Sequence, residues 1–287
     1  MHYPSLSALA GDAKRSFSKG PVALILIEDD VEVSSTIAHH GQAGFTHLIA
    51  FCAPQLALPA DLPEGLHRVD FDVSAEDALQ EITNTMIAAL PGQWLYYCYN
   101  AEYLFYPFCE HRSVGEMLNF MGEERRDSVM SYIVDLYAKD LTTHANGVDR
   151  DEACFDKSGY YALARAGAGG ETLERQVDIF GGLRWRFEEH IAKARQRTDR
   201  VAFFRAQPGL QMLTDRSFNL AEYNTYACPW HNNLTAAICS FRTAKALRRN
   251  PGSRAMIDTF HWPRSEPFSW QSQQLLDLGL MEPGQWF

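Results

Sequence analysis

The sequence predicts an α/β fold, a mostly parallel mixed sheet flanked by helices, with a helical C-terminal part. Three observations carry this. PVALILIE, residues 21–28, is an unbroken apolar run of the kind found in strands buried on both faces. Runs like it alternate with amphipathic stretches through the first 140 residues, an order that right-handed crossovers turn into a parallel sheet. Polar residues cluster where the runs end, and open α/β sheets hold their ligands beyond the carboxyl ends of their strands.

Taken in order, Gly20-Pro21 precedes the first strand and Asp29-Asp30 end it. VEVSSTIAHHGQAGF reads as a helix stopped at Gly41 or Gly44. THLIAF and HRVDFDV are the second and third strands. SAEDALQEITNTMIAAL places Ala75, Leu79, Ile82, Met86 and Ala89 on one helical face, opened by Ser74 and Asp77 in a loose capping box. Pro91-Gly92 closes that helix, and WLYYCY is the fourth strand. SVGEMLNFMGE is a helix with a capping box from Ser113 to Glu116, and DSVMSYIVDLYA is a further strand. Residues 142–182 are polar and read as a surface loop. The glycines in it (Gly167, Gly169, Gly170) follow no strand and point only weakly to phosphate. TAAICSFRTAKALRR reads as one helix carrying Ile238, Phe241 and Leu247 on a face, with Arg248 and Arg249 at its C-terminal end.

Composition narrows the function. The chain has 287 residues, 46% of them hydrophobic, with a net charge of -10. That balance describes a folded domain and excludes a general nucleic-acid binder, which needs a basic surface. Six scattered cysteines without a C-x-x-C pair read as reduced thiols of a cytoplasmic protein. No stretch reaches the roughly 20 apolar residues of a membrane span. Residues 1–20 form an amphipathic segment, with Leu6, Leu9, Ala10, Ala13 and Phe17 beside Lys14, Arg15 and Lys19. Such a helix either packs on the domain or lies on an anionic membrane, here the inner face. Residues 21–287 read as one domain, with a ligand-binding half over 21–140 and a second half over 141–287.

The stretch WLYYCYNAEYLFYPF, residues 94–108, is aromatic except for its centre, where Asn100 and Glu102 stand one residue apart. Alternate oxygen-bearing side chains at a strand end suit a hard cation or a sugar; an ordinary polar turn has the same appearance. Asp29 and Asp30 suit either a nucleotide or a helix cap. Asp70 and Asp72 form another Asp-x-Asp, and His39 and His40 read as packing or capping residues.

The order of LILIEDD, TIAHHGQAGF, THLIAF and the tryptophan-led strand resembles the nucleotide-sugar glycosyltransferases of the GT-A fold, in particular the bacterial family-two-like group. The resemblance covers roughly residues 21–140. It implies a GT-A-like (Rossmann-like) domain that moves a hexose from a nucleotide diphosphate sugar to a glycan or glycolipid acceptor. In that family an Asp-x-Asp pair holds a divalent cation, Mn or Mg, against the departing diphosphate. Asn100 stands at the first aspartate and Glu102 at the second, so a neutral amide replaces one carboxylate. His231 is implied as a third cation ligand, Asp29 and Asp30 as nucleotide contacts, and Asp135 as the base that deprotonates the acceptor. Arg184 is a candidate phosphate clamp, and Tyr103 and Trp230 are candidates for stacking on a sugar. The altered pair also admits a second expectation, a catalytically degenerate member that binds a glycan or a partner.

Overall fold

The computed structural model describes residues 1–59, 63 and 65–286. In chain order its elements are β1 (His2–Tyr3), α1 (Leu6–Ser16), β2 (Val22–Ile27), α2 (Val33–Gln42), β3 (His47–Cys52), β4 (Leu66–Asp70) and α3 (Ala78–Ala89). Then come β5 (Trp94–Tyr99), β6 (Glu102–Phe105), α4 (Val114–Glu123), β7 (Ser128–Ala138), β8 (Ala153–Asp156), β9 (Tyr161–Ala166) and β10 (Thr172–Phe180). The last are α5 (Gly182–Arg186), β11 (Asp199–Arg205), β12 (Ala236–Ser240), α6 (Arg242–Arg249), α7 (Pro251–Met256), β13 (Ser265–Pro267) and α8 (Ser272–Asp277). The chain forms two compact units, interleaved in sequence. The first comprises Met1–Tyr103, His111–Met130 and Val201–Asn224; the second comprises Leu104–Glu110, Ser131–Arg200 and Thr225–Phe287.

In the first unit the strand order is β1-β4-β3-β2-β5-β11. The pairings from β1 to β5 are all parallel, and β11 runs antiparallel to β5. All six residues of β2 are buried, as its apolar run predicts for a strand covered on both faces. The chain leaves β2 for β3 and β4 on one side, then returns to place β5 on the other. Right-handed crossovers therefore put α2 and α3 on opposite faces of the sheet. The amphipathic face of α1 is the packed one: Leu6, Leu9, Ala13 and Phe17 are buried, and α1 lies against α3 and β4.

Local signals explain the helix boundaries. Ser113 and Glu116 form the expected capping box on α4. The box expected before α3 is absent. Asp77 makes no side-chain cap, and Ser74 is instead held by Asp72, whose Oδ1 accepts from the Ser74 backbone N–H at 3.0 Å and hydroxyl at 2.6 Å.

The second unit carries β12 parallel to β7, with β8 antiparallel to β7 and β13 antiparallel to β8. Its apolar core gathers Tyr137, Leu141, Leu183, Ala244, Leu247 and Phe260. Two expectations are corrected here. Residues 142–182 are not a loop, since they hold β8 and the β9–β10 hairpin. Five of six β9 residues are exposed and β10 is charged, so neither shows the apolar alternation that marks a half-buried strand. The glycines at 167, 169 and 170 serve the hairpin turn, where the Gly167 N–H donates to Glu171 O at 2.7 Å. Residues 235–249 are not one helix but β12 followed by α6. A short apolar run does not by itself distinguish strand from helix; here AAICS is wholly buried beside β7. The helical C-terminal part is thus α6, α7 and α8 accompanied by β12 and β13.

Candidate functional site

In the first unit, β2 has β3 on one side and β5 on the other, which makes the carboxyl ends of β2 and β5 a topological switch point. Open α/β sheets form their ligand crevice at such a point. The residues there are Glu28, Asp29 and Asp30 after β2, and Asn100 after β5.

Asn100 is wholly buried and joins the two strand ends. Its backbone N–H donates to Leu26 O at 3.0 Å, continuing the parallel ladder. Its side-chain oxygen accepts from the Glu28 N–H at 2.9 Å, while its amide nitrogen donates to Asp29 Oδ1 at 2.6 Å and to Val31 O at 2.8 Å. This set of partners fixes which end of the amide is oxygen. Asp29 Oδ1 also accepts from the Val31 N–H at 3.1 Å, so the loop into α2 is tied at both of its ends. Asp30 is exposed beside it.

Glu102 is wholly buried and closes the turn between β5 and β6. Its Oε2 accepts from the Tyr99 N–H at 2.9 Å, and the Ala101 N–H between them donates to Thr36 Oγ1 at 2.8 Å. Ala101 sits at φ 61°, a left-handed conformation costing about 1–2 kcal/mol for an L residue, which these contacts hold in place. Close by, His40 is buried between Thr36 O at 2.7 Å and the Tyr96 hydroxyl at 3.2 Å. Burial drives the His40 pKa down to about 3, with the neighbouring His39 adding to it and the Glu102 charge opposing it.

These contacts do not fit a divalent cation. The Asn100 oxygen faces an N–H donor, its nitrogen faces Asp29, and the Glu102 carboxylate turns back on its own turn. Among the described residues no group of three or more His, Cys, Asp or Glu side chains could hold a metal ion. The alternative Asp-x-Asp is divided: Asp70 pairs with Arg68 at 3.0 Å and His2 at 2.9 Å, and Asp72 serves Ser74. Tyr103, expected at a sugar face, is buried, with its hydroxyl 2.8 Å from Ser35 Oγ.

The remaining expected residues lie in the second unit. Asp135, on β7, is wholly buried; its Oδ2 accepts from the Arg184 N–H at 3.3 Å and its Oδ1 lies 3.4 Å from Arg184 Nε. Burial pushes its carboxyl up, against the pull of the Arg184 charge. The Arg184 guanidinium also reaches Thr243 Oγ1 at 3.2 Å and Arg197 O at 2.9 Å, contacts that anchor it inside the unit. His231 faces Cys228, with Sγ 2.9 Å from Nδ1, in a turn whose Trp230 is 82% exposed.

Tyr160 and Asp156 of this unit have no motif to announce them. The Tyr160 ring lies over Gly181, where a Cβ would come within 2.3 Å of it. Its hydroxyl is buried without a hydrogen-bond partner among the described residues. At Gly182, φ +60°, a Cβ would stand 3.0 Å from Asp135 Oδ2 and 3.3 Å from the Tyr160 oxygen. Both polar atoms thus face the side that the glycine leaves open. Asp156 is a separate hub, accepting from the Tyr137 hydroxyl at 2.5 Å, Trp262 Nε1 at 2.6 Å and Arg186 Nη1 at 3.0 Å. The consecutive glycines at 181 and 182 are the one sequence signal that could have marked this region.

Compared with models of known protein families the sequence matches none, and no curated protein matches it either.

Proposed function

We propose that this chain is a glycosyltransferase that moves a hexose from a nucleotide diphosphate sugar to a hydroxyl of a glycan or glycolipid acceptor. One observation carries the reading. The two strand ends flanking the switch point of the first unit bear Asp29 and Asp30, which the resemblance marks for the nucleotide, and Asn100, which it marks for the diphosphate and its cation. In this reading Asp30 meets the nucleotide, and Asn100 acts through the loop it fixes. In this reading Asn100 and Glu102 brace the loops of the site, and other groups hold the donor phosphates.

Asp135 is the proposed base. Burial raises its proton affinity, which suits a group that must take a proton from an acceptor hydroxyl. Beside Gly182 the unpartnered hydroxyl of Tyr160 faces the same open side as Asp135 Oδ2, with the Tyr160 ring resting over Gly181. A buried hydroxyl without a partner costs about 1–3 kcal/mol, so this ring is held less firmly than a hydrogen-bonded one would be. The proposed setting is the cytoplasm, at the inner face of a membrane if the acceptor is a lipid.

The structural use of Asn100 and Glu102 favours a second reading, a binding module that has lost catalysis. Thermal-shift titrations with UDP, GDP and their sugars, with and without Mn²⁺, joined to an assay of nucleotide-sugar hydrolysis, separate the two. A metal-independent shift with turnover, both lost in Asp30→Ala, supports the transferase. A shift without turnover supports the module. No shift with any nucleotide removes the transferase reading.

A further inference from the structure

The β9–β10 hairpin of the second unit leaves one strand edge bare. β9 pairs with β10 alone, in the register Ala162↔Ile179, Leu163↔Asp178 and Ala164↔Val177. Ile179 spends both backbone groups away from β9: its N–H donates to Asp199 Oδ1 at 2.8 Å, and its carbonyl accepts from the Thr198 N–H at 2.7 Å. The Val177 carbonyl likewise accepts from Arg165 Nη2 at 2.8 Å. Ala162 and Ala164, opposite them, therefore stand at non-hydrogen-bonded positions of the ladder. Their N–H and C=O groups point outward from β9, to a side where no other strand lies among the described residues.

Edges of this kind are normally blunted by Lys, Pro or a covering segment. β9 reads Tyr-Ala-Leu-Ala-Arg-Ala, and its one charged residue, Arg165, is turned in on Asp178 and Asp199 at 2.7 and 2.6 Å. Tyr161 is 44% exposed, Leu163 55%, and the nearby Trp185 41%. The edge is apolar, uncharged and open.

We propose that this edge pairs antiparallel with β9 of a second copy of the chain, about a twofold axis passing through Leu163. The occupant follows from the strand itself. A twofold axis perpendicular to the sheet keeps each face on its own side, so residues of like parity must meet. Centring on Leu163 sets Ala162 opposite Ala164 of the second copy, and Ala164 opposite its Ala162. These are the residues whose N–H and C=O groups point outward, and each pair exchanges two hydrogen bonds. Leu163 then meets its own symmetry mate at a non-hydrogen-bonded position, where side chains approach most closely. No like charges oppose each other, and the exposed Leu163 is covered. The interface is isologous and closes on itself. Six residues a side is well short of the 20 or so of a standard interface, so the dimer is reversible and depends on concentration.

Sedimentation velocity across the micromolar range tests this on the full chain. Wild type is expected to pass from monomer to dimer as concentration rises, and Leu163→Lys, which opposes two charges on the axis, to stay monomeric. Leu163→Cys should give a reducible dimer under mild oxidation that wild type does not give. A wild type that stays monomeric together with a Leu163→Cys that does not cross-link overturns the proposal. So does a dimer that Leu163→Lys leaves intact. Neither result depends on nucleotide binding.

Discussion

Asn100 donates its side-chain amide to Asp29 Oδ1 at 2.6 Å, binding the end of β5 to the loop that follows β2 across 71 residues of chain. The same side chain serves Glu28 and Val31, so the amide works as a clamp on the switch point. Removing it as Asn100→Ala strands buried backbone groups on Glu28 and Val31. A loss of about 2–5 kcal/mol is expected, from roughly 1–3 kcal/mol for each group left unpaired, read by urea unfolding.

Asn100→Asp would rebuild the acidic first position of the family pattern, yet it should destabilise rather than help. It replaces the donor facing Asp29 with a second carboxylate and leaves Val31 O without its partner. The repulsion exists only while both acids are charged, so the deficit should be largest at neutral pH. It should shrink as pH falls and one of the two takes a proton. A deficit equal at pH 5 and pH 7 would argue against this contact.

His40 sets a second pH dependence. Its folded pKa is about 3, below its ordinary value of 6.5. Between those values the unfolded chain binds the proton and the folded chain does not, so stability falls as pH drops. The slope is about 1.4 kcal/mol per pH unit from this group. His40→Gln keeps a hydrogen-bonding side chain and removes the titration. Its stability curve should be flatter than wild type between pH 6.5 and pH 4.

These contacts show what local sequence can and cannot reveal. Ser113 and Glu116 lie within one helical turn, and the α4 capping box was legible from their spacing. The apolar run of β2 and the polar residues at its end were legible for the same reason. Asn100 was legible as a polar break, but its partner lies 71 residues away and no spacing rule reaches that far. β9 was missed because it is exposed on both faces, and β12 because five buried residues fit strand and helix alike. Tyr160 was hidden because its environment is made by Gly181 and Gly182 some twenty positions on.

The glycines beneath Tyr160 provide the last expectation. The buried hydroxyl of Tyr160 makes no hydrogen bond among the described residues, so Tyr160→Phe removes a desolvated group and keeps the ring over Gly181. Stability should rise by about 1 kcal/mol, toward the low end of the cost of an unpaired buried polar group. Gly182→Ala should act in the other direction. It places a methyl 3.0 Å from Asp135 Oδ2 in a left-handed conformation, and the strain alone costs about 1–2 kcal/mol. Higher stability for Tyr160→Phe and lower stability for Gly182→Ala are the expected signature in parallel urea measurements. A Tyr160→Phe protein less stable than wild type would mean that the hydroxyl is held by a partner after all.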